Sequence, residues 1–296
     1  MCNCKKFDIP GVEFTTNENG MEIISVKNKI ASALMTTNGA HIFDYTPAGE
    51  KNLLWVSKKS FMTPGKPIRG GVPVCWPWFG PAADKSWPGH GFVRREVWEV
   101  AEAAVLPSGA TRITFKLDSD MREFPMATFP FTVHMIYTVG AELEMTLIMV
   151  NKGEKPVEIG CALHTYFAVS DVSRIAVSGL DKTHYFNYVS GAPKFEGNIQ
   201  SGDVKVESEV DFVYFPASGA TEIIDPGWGR IIKVEKSGSD STVIWNPWID
   251  KSTTMADYGA DEYPEMICVE CANTKCDPRV LMPGVPHQIT QKIGLK

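Results

Sequence analysis

The sequence lacks several features that mark common functional classes. It has no run of 18 apolar residues, which a membrane-spanning helix would need. Basic residues are not in excess, because 29 Lys and Arg stand against 35 Asp and Glu and give a formal charge of −6. Nucleic acids and anionic membranes attract broad basic surfaces, so neither is expected as a partner. Residues 1–6 also lack the apolar core of a signal peptide, and we therefore expect a cytoplasmic protein.

The seven cysteines show no regular disulfide spacing. Cys75, Cys161 and Cys268 lie in apolar runs, which is typical of buried thiols in a reducing compartment. Cys268 and Cys271 form a C-x-x-C that is followed by Cys276, but the second pair of a zinc motif and the βαβ context of a redox motif are missing. The histidine spacing matches no H-E-x-x-H or H-x-H motif, so no metal site is predicted.

Long stretches with a 3.6-residue period are also missing, and strand-like alternation dominates instead. Ile113, Phe115 and Leu117 share one face of the run 111–117. Similar runs occur at 21–26, 131–139, 142–150, 157–163, 230–235, 241–245, 265–270 and 287–293. The pattern predicts an all-β fold, a large antiparallel sandwich with few short helices.

Glycine and proline are spread along the chain as turn residues and are not gathered into a linker. All-β sandwiches of about 200 to 250 residues commonly form one domain, and this chain of 296 residues is not much longer. A hydrophobic content of 44% is enough for a sizeable core. We therefore predict a single domain over residues 1–296.

Residues 61–92 differ from the rest, because six prolines are interleaved with aromatic residues there. This composition is too rich in proline for a central strand and too aromatic for a mobile loop. Arg69, His90 and Arg94 flank the aromatic residues. Aromatic faces beside hydrogen-bonding groups are typical of sugar sites, so the segment is predicted to be an ordered loop that covers one.

A candidate acid or base is His164, at the end of the run 158–164. Bulky apolar residues alternate in this run with Gly160 and Ala162, which share a face with His164. Small residues leave room for a ligand beside the imidazole; the alternative is a hydrogen-bonded histidine in the core. The other histidines have no such context and are expected to be structural or exposed: His41, His134, His184 and His287.

Glu270 is the second candidate, directly after the apolar run 266–269. A carboxylate in this place lies either at the solvent edge of a sheet or in a dry site where it is used. Tyr263, Pro264 and Asn273 give the segment little surface character and favour the dry site. A histidine facing a glutamate would supply acid and base catalysis.

Arg69 and Arg94 adjoin glycine-bearing turns, where backbone and side chain can both approach a ligand. Paired arginines suit an anion, and surface salt bridges are the alternative for both. Arg95 would point away from Arg94 on an extended chain and is expected at the surface. Asp211 interrupts the apolar run 210–214 and could accept hydrogen bonds from a sugar, with Asp203 as the competing candidate.

Six motifs occur in order along nearly the whole chain. They are Arg69-Gly-Gly-Val-Pro73, Trp76-Pro-Trp-Phe-Gly80, His90-Gly-Phe-Val-Arg94, Leu163-His-Thr-Tyr-Phe167, Val243-Ile-Trp-Asn-Pro-Trp248 and Cys268-Val-Glu270. With these motifs the chain resembles the aldose 1-epimerase (mutarotase) superfamily and, within it, the hexose-6-phosphate mutarotase group. The resemblance implies a galactose-mutarotase-like β-supersandwich that interconverts α and β anomers without a cofactor or a metal.

The resemblance also implies roles for the candidate residues. His164 would protonate the ring oxygen and Glu270 would take the proton of the C1 hydroxyl, which requires a protonated His164 and an ionised Glu270 at the start. We expect their mutual attraction to favour that pairing near neutral pH. His90 and Asp211 would orient sugar hydroxyls.

Arg69 and Arg94 match the arginines of the phosphosugar group, and a 6-phosphate with nearly two negative charges suits two guanidinium groups. The expected partner is therefore a small sugar phosphate, and the protein is expected to be a monomer. Two other functions stay open: a mutarotase of unphosphorylated aldoses, and a carbohydrate-binding or sensing protein without turnover. A glycosidase is disfavoured, because it normally needs two carboxylates.

Overall fold

The computed structural model describes residues 7–191 and 198–296. The N-terminal pair Cys2 and Cys4 lies outside these residues. The described chain consists mostly of antiparallel strands in four sheets, with one short α-helix. This architecture confirms the predicted all-β class.

The two smaller sheets have four strands and two strands. The four-stranded sheet runs in chain order and consists of β1 (Val12–Thr16), β2 (Glu22–Lys27), β3 (Ala31–Thr36) and β4 (His41–Pro47). The two-stranded sheet pairs β10 (Val157–Ile159) with β20 (Arg279–Leu281).

The eight-stranded sheet has the order β13-β16-β17-β21-β9-β8-β7-β6. Its strands are β6 (Glu99–Val105), β7 (Thr111–Asp118), β8 (Phe131–Val139), β9 (Leu143–Asn151), β13 (Ala176–Ser178), β16 (Thr221–Asp225), β17 (Arg230–Ser237) and β21 (His287–Leu295).

The seven-stranded sheet has the order β14-β15-β18-β19-β11-β5, and β12 also pairs with β19. Its strands are β5 (Val74–Cys75), β11 (Cys161–Leu163), β12 (Tyr166–Ala168), β14 (Tyr185–Asn187), β15 (Val210–Tyr214), β18 (Ser241–Asn246) and β19 (Met266–Asn273).

Helices are few and short. The α-helix α1 covers Trp248–Ser252, and 3₁₀ turns cover Val93–Arg95 and Tyr263–Glu265. Among the described residues, no helix combines the length and the apolar character that crossing a membrane requires.

The runs predicted from alternation are strands in the structure, with one interruption. The run 157–163 divides at Gly160 into β10 and β11, which pair with different partners. A Cβ at Gly160 would lie 3.0 Å from the backbone nitrogen of Phe79. The break therefore lets the 61–92 segment pack directly against this strand end.

One large hydrophobic core joins the four-, seven- and eight-stranded sheets. In β19, Ile267, Val269 and Cys271 point into this core, whereas Cys268 and Glu270 point to the opposite side. The continuity of the core favours one domain over residues 1–296, which stays a prediction. The seven-stranded sheet thus has one face committed to packing and one face free for a site.

A buried histidine connects β4 to the segment that carries Arg69. His41 Nε2 lies 2.8 Å from the carbonyl oxygen of Gly70, and the imidazole is fully buried. Burial lowers the pKa of His41 to about 3, from an ordinary value of 6.5. The folded protein therefore keeps this histidine neutral at pH values where the unfolded chain takes up a proton.

This difference makes the stability dependent on pH. The unfolded state binds the extra proton below its pKa of ~6.5, so the free energy of unfolding should fall by up to ~1.4 kcal/mol per pH unit towards the folded pKa of about 3. His41→Gln retains a donor for Gly70 and should remove about one proton from this dependence, as measured by urea unfolding between pH ~7 and ~5. Between pH ~7 and ~8 the two proteins should give parallel curves. An unchanged slope at acid pH would contradict this account of His41.

Candidate active site

A cavity of about 530 Å³ opens on the free face of the seven-stranded sheet. The 61–92 segment and the region after β18 complete its walls. Its polar lining residues include Arg69, His90, His164, Tyr166, Asp211, Lys251, Glu270, Thr274 and Lys275, and its apolar lining includes Phe79, Pro81, Val213, Val243, Trp245 and Met255. Five of the six predicted site residues therefore meet in one place.

Cross-strand register places the polar residues on the same face. Glu270 of β19 lies opposite Val243 of β18, and Asp211 of β15 lies opposite Trp245. His164 directly follows β11, with its backbone N–H donating to the carbonyl oxygen of Pro73. Side chains alternate along each strand, and the residues on either side of Glu270 and Asp211 point to the opposite face of the sheet. Both carboxyl groups therefore point towards the cavity.

His164 and Glu270 are in direct contact. His164 Nδ1 lies 3.3 Å from Glu270 Oε1, and the two residues are only 8% and 1% exposed. The imidazole stacks on the ring of Tyr166, with centroids 4.9 Å apart and planes 8° apart. Glu270 Oε2 has no hydrogen-bond partner among the described residues. The pair is thus held rigidly, with polar atoms free for a ligand.

Burial determines the protonation of this pair more strongly than attraction does. It raises the pKa of Glu270 well above its usual value, and the nearby Asp211 acts in the same direction. It lowers the pKa of His164, and His90, Arg94 and Arg69 add to that effect. The expected pairing of a protonated His164 with an ionised Glu270 is therefore not the one that the cavity favours without a ligand. The cavity favours a neutral His164 beside a protonated Glu270. This neutral pair holds as many protons as the charged pair and differs only in that the shared proton lies on Glu270.

His90 has an unusual backbone conformation with φ of 63°. The following Gly91 has φ of 72°, and a Cβ there would lie 1.9 Å from the carbonyl oxygen of Trp76. His90 Nδ1 accepts a hydrogen bond of 3.3 Å from the Gly80 backbone N–H, which assigns the proton to Nε2. Burial, with Arg94 and Arg69, lowers its pKa to about 3. His90 is therefore a neutral imidazole on the cavity wall.

Arg69 forms part of the wall, held by two partners. It donates to the Tyr166 hydroxyl at 3.1 Å and to Asp257 Oδ1 at 3.2 Å. Burial opposes the charge of this guanidinium, but Tyr166 and Asp257 outweigh it and raise the pKa of Arg69. The side chain is still 24% exposed, so its charge faces the cavity.

Arg94 does not line the cavity, in contrast to the sequence-based expectation. The 3₁₀ turn Val93–Arg95 replaces the extended chain assumed for this segment, and Arg94 donates to the carbonyl oxygen of Gly89 at 2.9 Å. Its charge still lowers the pKa values of His90 and His164. Arg95 is exposed, as expected. Arg94 therefore acts on the cavity through its charge and does not line it.

Asp211 lies in the cavity, whereas Asp203 is exposed and outside it. Asp211 Oδ2 is 3.8 Å from Nζ of Lys251, which also pairs with Glu209 at 2.7 Å. Burial raises the pKa of Asp211, although Lys251 opposes the shift. Of the two aspartates that the sequence leaves open, Asp211 is the one positioned to meet a ligand.

Several lining residues escape sequence reasoning. Lys251 lies in α1 and Lys275 lies after β19. Asp257, which does not line the cavity, holds Arg69 from a loop. No local pattern distinguishes them from surface charges. Tyr166 and Trp245 do occur inside the quoted motifs, and the alternation of β12 and β18 could have assigned both to the cavity face.

The C-x-x-C does not form a site as a unit. Residues three apart on a strand point to opposite faces, so Cys268 faces the cavity side while Cys271 faces the core. The Cys271 thiol lies 3.7 Å from the carbonyl oxygen of Thr290, and the Cys276 sulfur lies 2.9 Å from the Thr274 hydroxyl. The described cysteines are all free thiols.

The fold agrees with comparisons to known proteins. The sequence profile described as Aldose 1-epimerase matches residues 22–294. The chain therefore belongs to the aldose 1-epimerase family, a family of isomerases, as its motifs predicted.

Two curated relatives share the name "Putative glucose-6-phosphate 1-epimerase". The Escherichia coli protein is 34% identical over 252 residues, covering 85% of this chain and 83% of its own. The Salmonella typhimurium protein is 31% identical over 295 residues, covering 98% of this chain and 97% of its own.

Solved structures show the same fold. A Salmonella typhimurium protein described as a "putative mutarotase (YeaD)" has a TM-score of 0.90 and 29% identity, covering 98% of this chain and 95% of its own. An Escherichia coli protein described as a "Putative aldose 1-epimerase" has a TM-score of 0.69 and 15% identity, covering 94% and 99%. The predicted galactose-mutarotase-like architecture is confirmed.

Proposed function

We propose that this protein interconverts the α and β anomers of glucose 6-phosphate and related hexose 6-phosphates. The observation that carries the proposal is the contact between His164 and Glu270 at the cavity floor, beside Arg69. The names of the curated relatives support the same substrate class. No step of the proposed reaction requires a cofactor.

The reaction begins with ring opening. Glu270, ionised, takes the proton of the C1 hydroxyl while His164, protonated, gives a proton to the ring oxygen. The C1–O5 bond breaks and leaves an aldehyde at C1. Rotation about C1–C2 presents the other face of the carbonyl, and closure returns both protons to their donors.

The shared proton of the pair fits this cycle. The neutral pair and the charged pair contain the same number of protons, so the cavity reaches the reactive state by moving one proton from Glu270 to His164 over 3.3 Å. Sugar hydroxyls in the cavity would supply the hydrogen bonds that the charged forms lack. Substrate entry would therefore favour the reactive protonation state.

The positive charge around the cavity supports a phosphorylated substrate. Arg69 faces the cavity, and Arg94 acts on it through its electrostatic effect on His90 and His164. A phosphate dianion would relieve the repulsion that these cations impose on the two imidazoles. His90 and Asp211, on the walls, would donate to and accept from sugar hydroxyls.

Anomer exchange measured by magnetisation-transfer NMR tests the proposed substrate. At equal concentrations of glucose 6-phosphate and glucose, with the spontaneous rate subtracted, we expect acceleration that strongly favours the phosphorylated sugar. Equal or faster exchange of glucose would instead indicate a free-aldose mutarotase. Binding of glucose 6-phosphate without any acceleration would indicate a carbohydrate-binding protein.

The acid and base should each be indispensable. His164→Asn and Glu270→Gln should each lower kcat for glucose 6-phosphate by at least ~100-fold, because general acid–base groups contribute about 10² to 10⁴. Sugar-phosphate binding should remain measurable by calorimetry. The matched controls His134→Asn, on β8, and Glu158→Gln, exposed on β10, should retain the wild-type rate. A His164 or Glu270 variant as active as these controls would exclude that residue from the mechanism.

Arg69 should discriminate phosphorylated from free sugar. Arg69→Ala should reduce kcat/KM for glucose 6-phosphate by roughly 10- to 100-fold, the size of one charge-assisted hydrogen bond, with a smaller effect on glucose. Arg94→Ala should act in the same direction more weakly, because Arg94 does not line the cavity and acts only through its charge. Arg95→Ala, at the adjacent exposed position, is the control and should change neither value. Equal losses on both sugars would make Arg69 a structural residue.

A further inference from the structure

Cys268 is a buried thiol that the proposed reaction does not use. It lies on the same face of β19 as Glu270, two residues away, and opposite Tyr166 of β12 and Trp245 of β18. Cys268 is fully buried, and its partners across the strands, Tyr166 and Trp245, both line the cavity. Its position places a sulfur next to the proposed acid and base.

These three residues lie close enough together to share one metal ion. The ligand atoms of His164, Cys268 and Glu270 all lie within 4.8 Å of one another, and the His164 Nδ1 to Glu270 Oε1 distance is 3.3 Å. Ligands at zinc bond lengths of about 2.0 to 2.3 Å lie roughly 3.3 to 3.6 Å apart in a tetrahedron. The histidine and the glutamate already have that separation, and the thiol, within 4.8 Å of both, would have to come closer to complete a tetrahedron.

We propose that His164, Cys268 and Glu270 form an inhibitory binding site for zinc or a similar borderline-soft divalent cation. Nitrogen, sulfur and carboxylate oxygen are the donors that zinc takes in proteins. Three protein ligands leave a fourth position, which water would fill. The site is distinct from the C-x-x-C motif, because Cys271 points into the core.

The unsatisfied polar atoms support a ligand at this place. Glu270 Oε2 is buried without a hydrogen-bond partner among the described residues, and His164 Nδ1 has only the 3.3 Å contact with Glu270 Oε1. A bound divalent cation would satisfy them, and it deprotonates a coordinating thiol. The cations of Arg69 and Arg94 oppose binding, whereas the carboxylate and the thiolate together neutralise a charge of two. Binding by harder cations such as Mg²⁺, which prefer oxygen ligands, is not expected.

Metal binding would stop the proposed reaction, because both groups that transfer protons would be coordinated. A sugar phosphate and the cation would compete for the same pair. The inhibition therefore rests on the proposed function, whereas the binding of the metal does not. This difference lets the two proposals be tested separately.

The test uses the full chain with Cys2→Ser and Cys4→Ser as the starting protein, so that thiols outside the described residues do not contribute. After treatment with a chelator, Zn²⁺ binding is measured by equilibrium dialysis, and Co²⁺ binding by the charge-transfer absorption of a thiolate–cobalt bond. Cys268→Ser and Cys268→Ala remove the proposed ligand. Cys271→Ser, on the same strand and equally buried, is the matched control.

We expect one equivalent of Zn²⁺ and a thiolate–cobalt absorption in the starting protein and in Cys271→Ser. The Cys268 variants should bind Zn²⁺ at least ~100-fold more weakly, since even an outer-shell partner contributes 10- to 100-fold. Absence of binding in the starting protein, or equal binding after removal of Cys268, would overturn the proposal. The absorption of the starting protein reports a thiolate ligand, and its loss in whichever of the two Cys268 variants folds assigns that ligand to Cys268 among the five described thiols.

Anomer exchange of glucose 6-phosphate then measures inhibition, each protein being compared with its own metal-free rate. Zn²⁺ should inhibit the starting protein and Cys271→Ser at concentrations at least ~10-fold below those needed for the Cys268 variants, in competition with substrate. Binding without any inhibition of an active enzyme would overturn the inhibitory role. A metal-free protein without exchange would contradict the proposed function, while dialysis and absorption would still decide the metal site.

Discussion

The burial of one face of the seven-stranded sheet is the constraint on which the rest of the structure depends. Ile267, Val269 and Cys271 pack into the core shared with the eight-stranded sheet, and this packing sets the rotation of β19. Because side chains alternate, Cys268 and Glu270 must then face the other way. A slip of one residue would bury the carboxylate in the core and bring Val269 to the cavity. The hydrophobic core therefore positions the site without touching a ligand.

Desolvation is the second consequence of this arrangement. The residues that exclude water from the cavity floor also disfavour charge on His164 and Glu270, shifting both towards their neutral forms. The nearby guanidinium groups of Arg69 and Arg94 increase that effect on the imidazole. A buried pair with an unpartnered carboxylate oxygen, beside the guanidinium of Arg69, suits a polar ligand that supplies the missing hydrogen bonds. The same unsatisfied atoms explain why a cation could compete for the pair if a thiol joins them.

The fold and much of the site could be predicted from local pattern. Alternation located the strands. The small residues before His164 were a poorer guide, because Gly160 makes room for the backbone of Phe79 and Ala162 packs in an apolar cluster, so neither lines the cavity. The prediction for Arg94 failed geometrically because its strand-like segment forms a 3₁₀ turn, which directs the guanidinium to the Gly89 carbonyl. No local pattern indicated Lys251 or Asp257. Lys251 contacts Asp211, 40 residues away, and Asp257 contacts Arg69, 188 residues away, so both contacts depend on the fold. The choice between Asp203 and Asp211 needed the structure, in which Asp203 is exposed to solvent outside the cavity.

The sequence by itself determined the all-β class, the faces of the strands and the family, since these follow from two-residue periodicity and from short motifs within single segments. Tertiary structure alone decided that His164 and Glu270, 106 residues apart, meet at 3.3 Å, and that Cys268 lies within 4.8 Å of both. It also decided which charges reach the cavity. The physical reason is that strand pairing, register and desolvation are properties of several segments at once, whereas periodicity is a property of one.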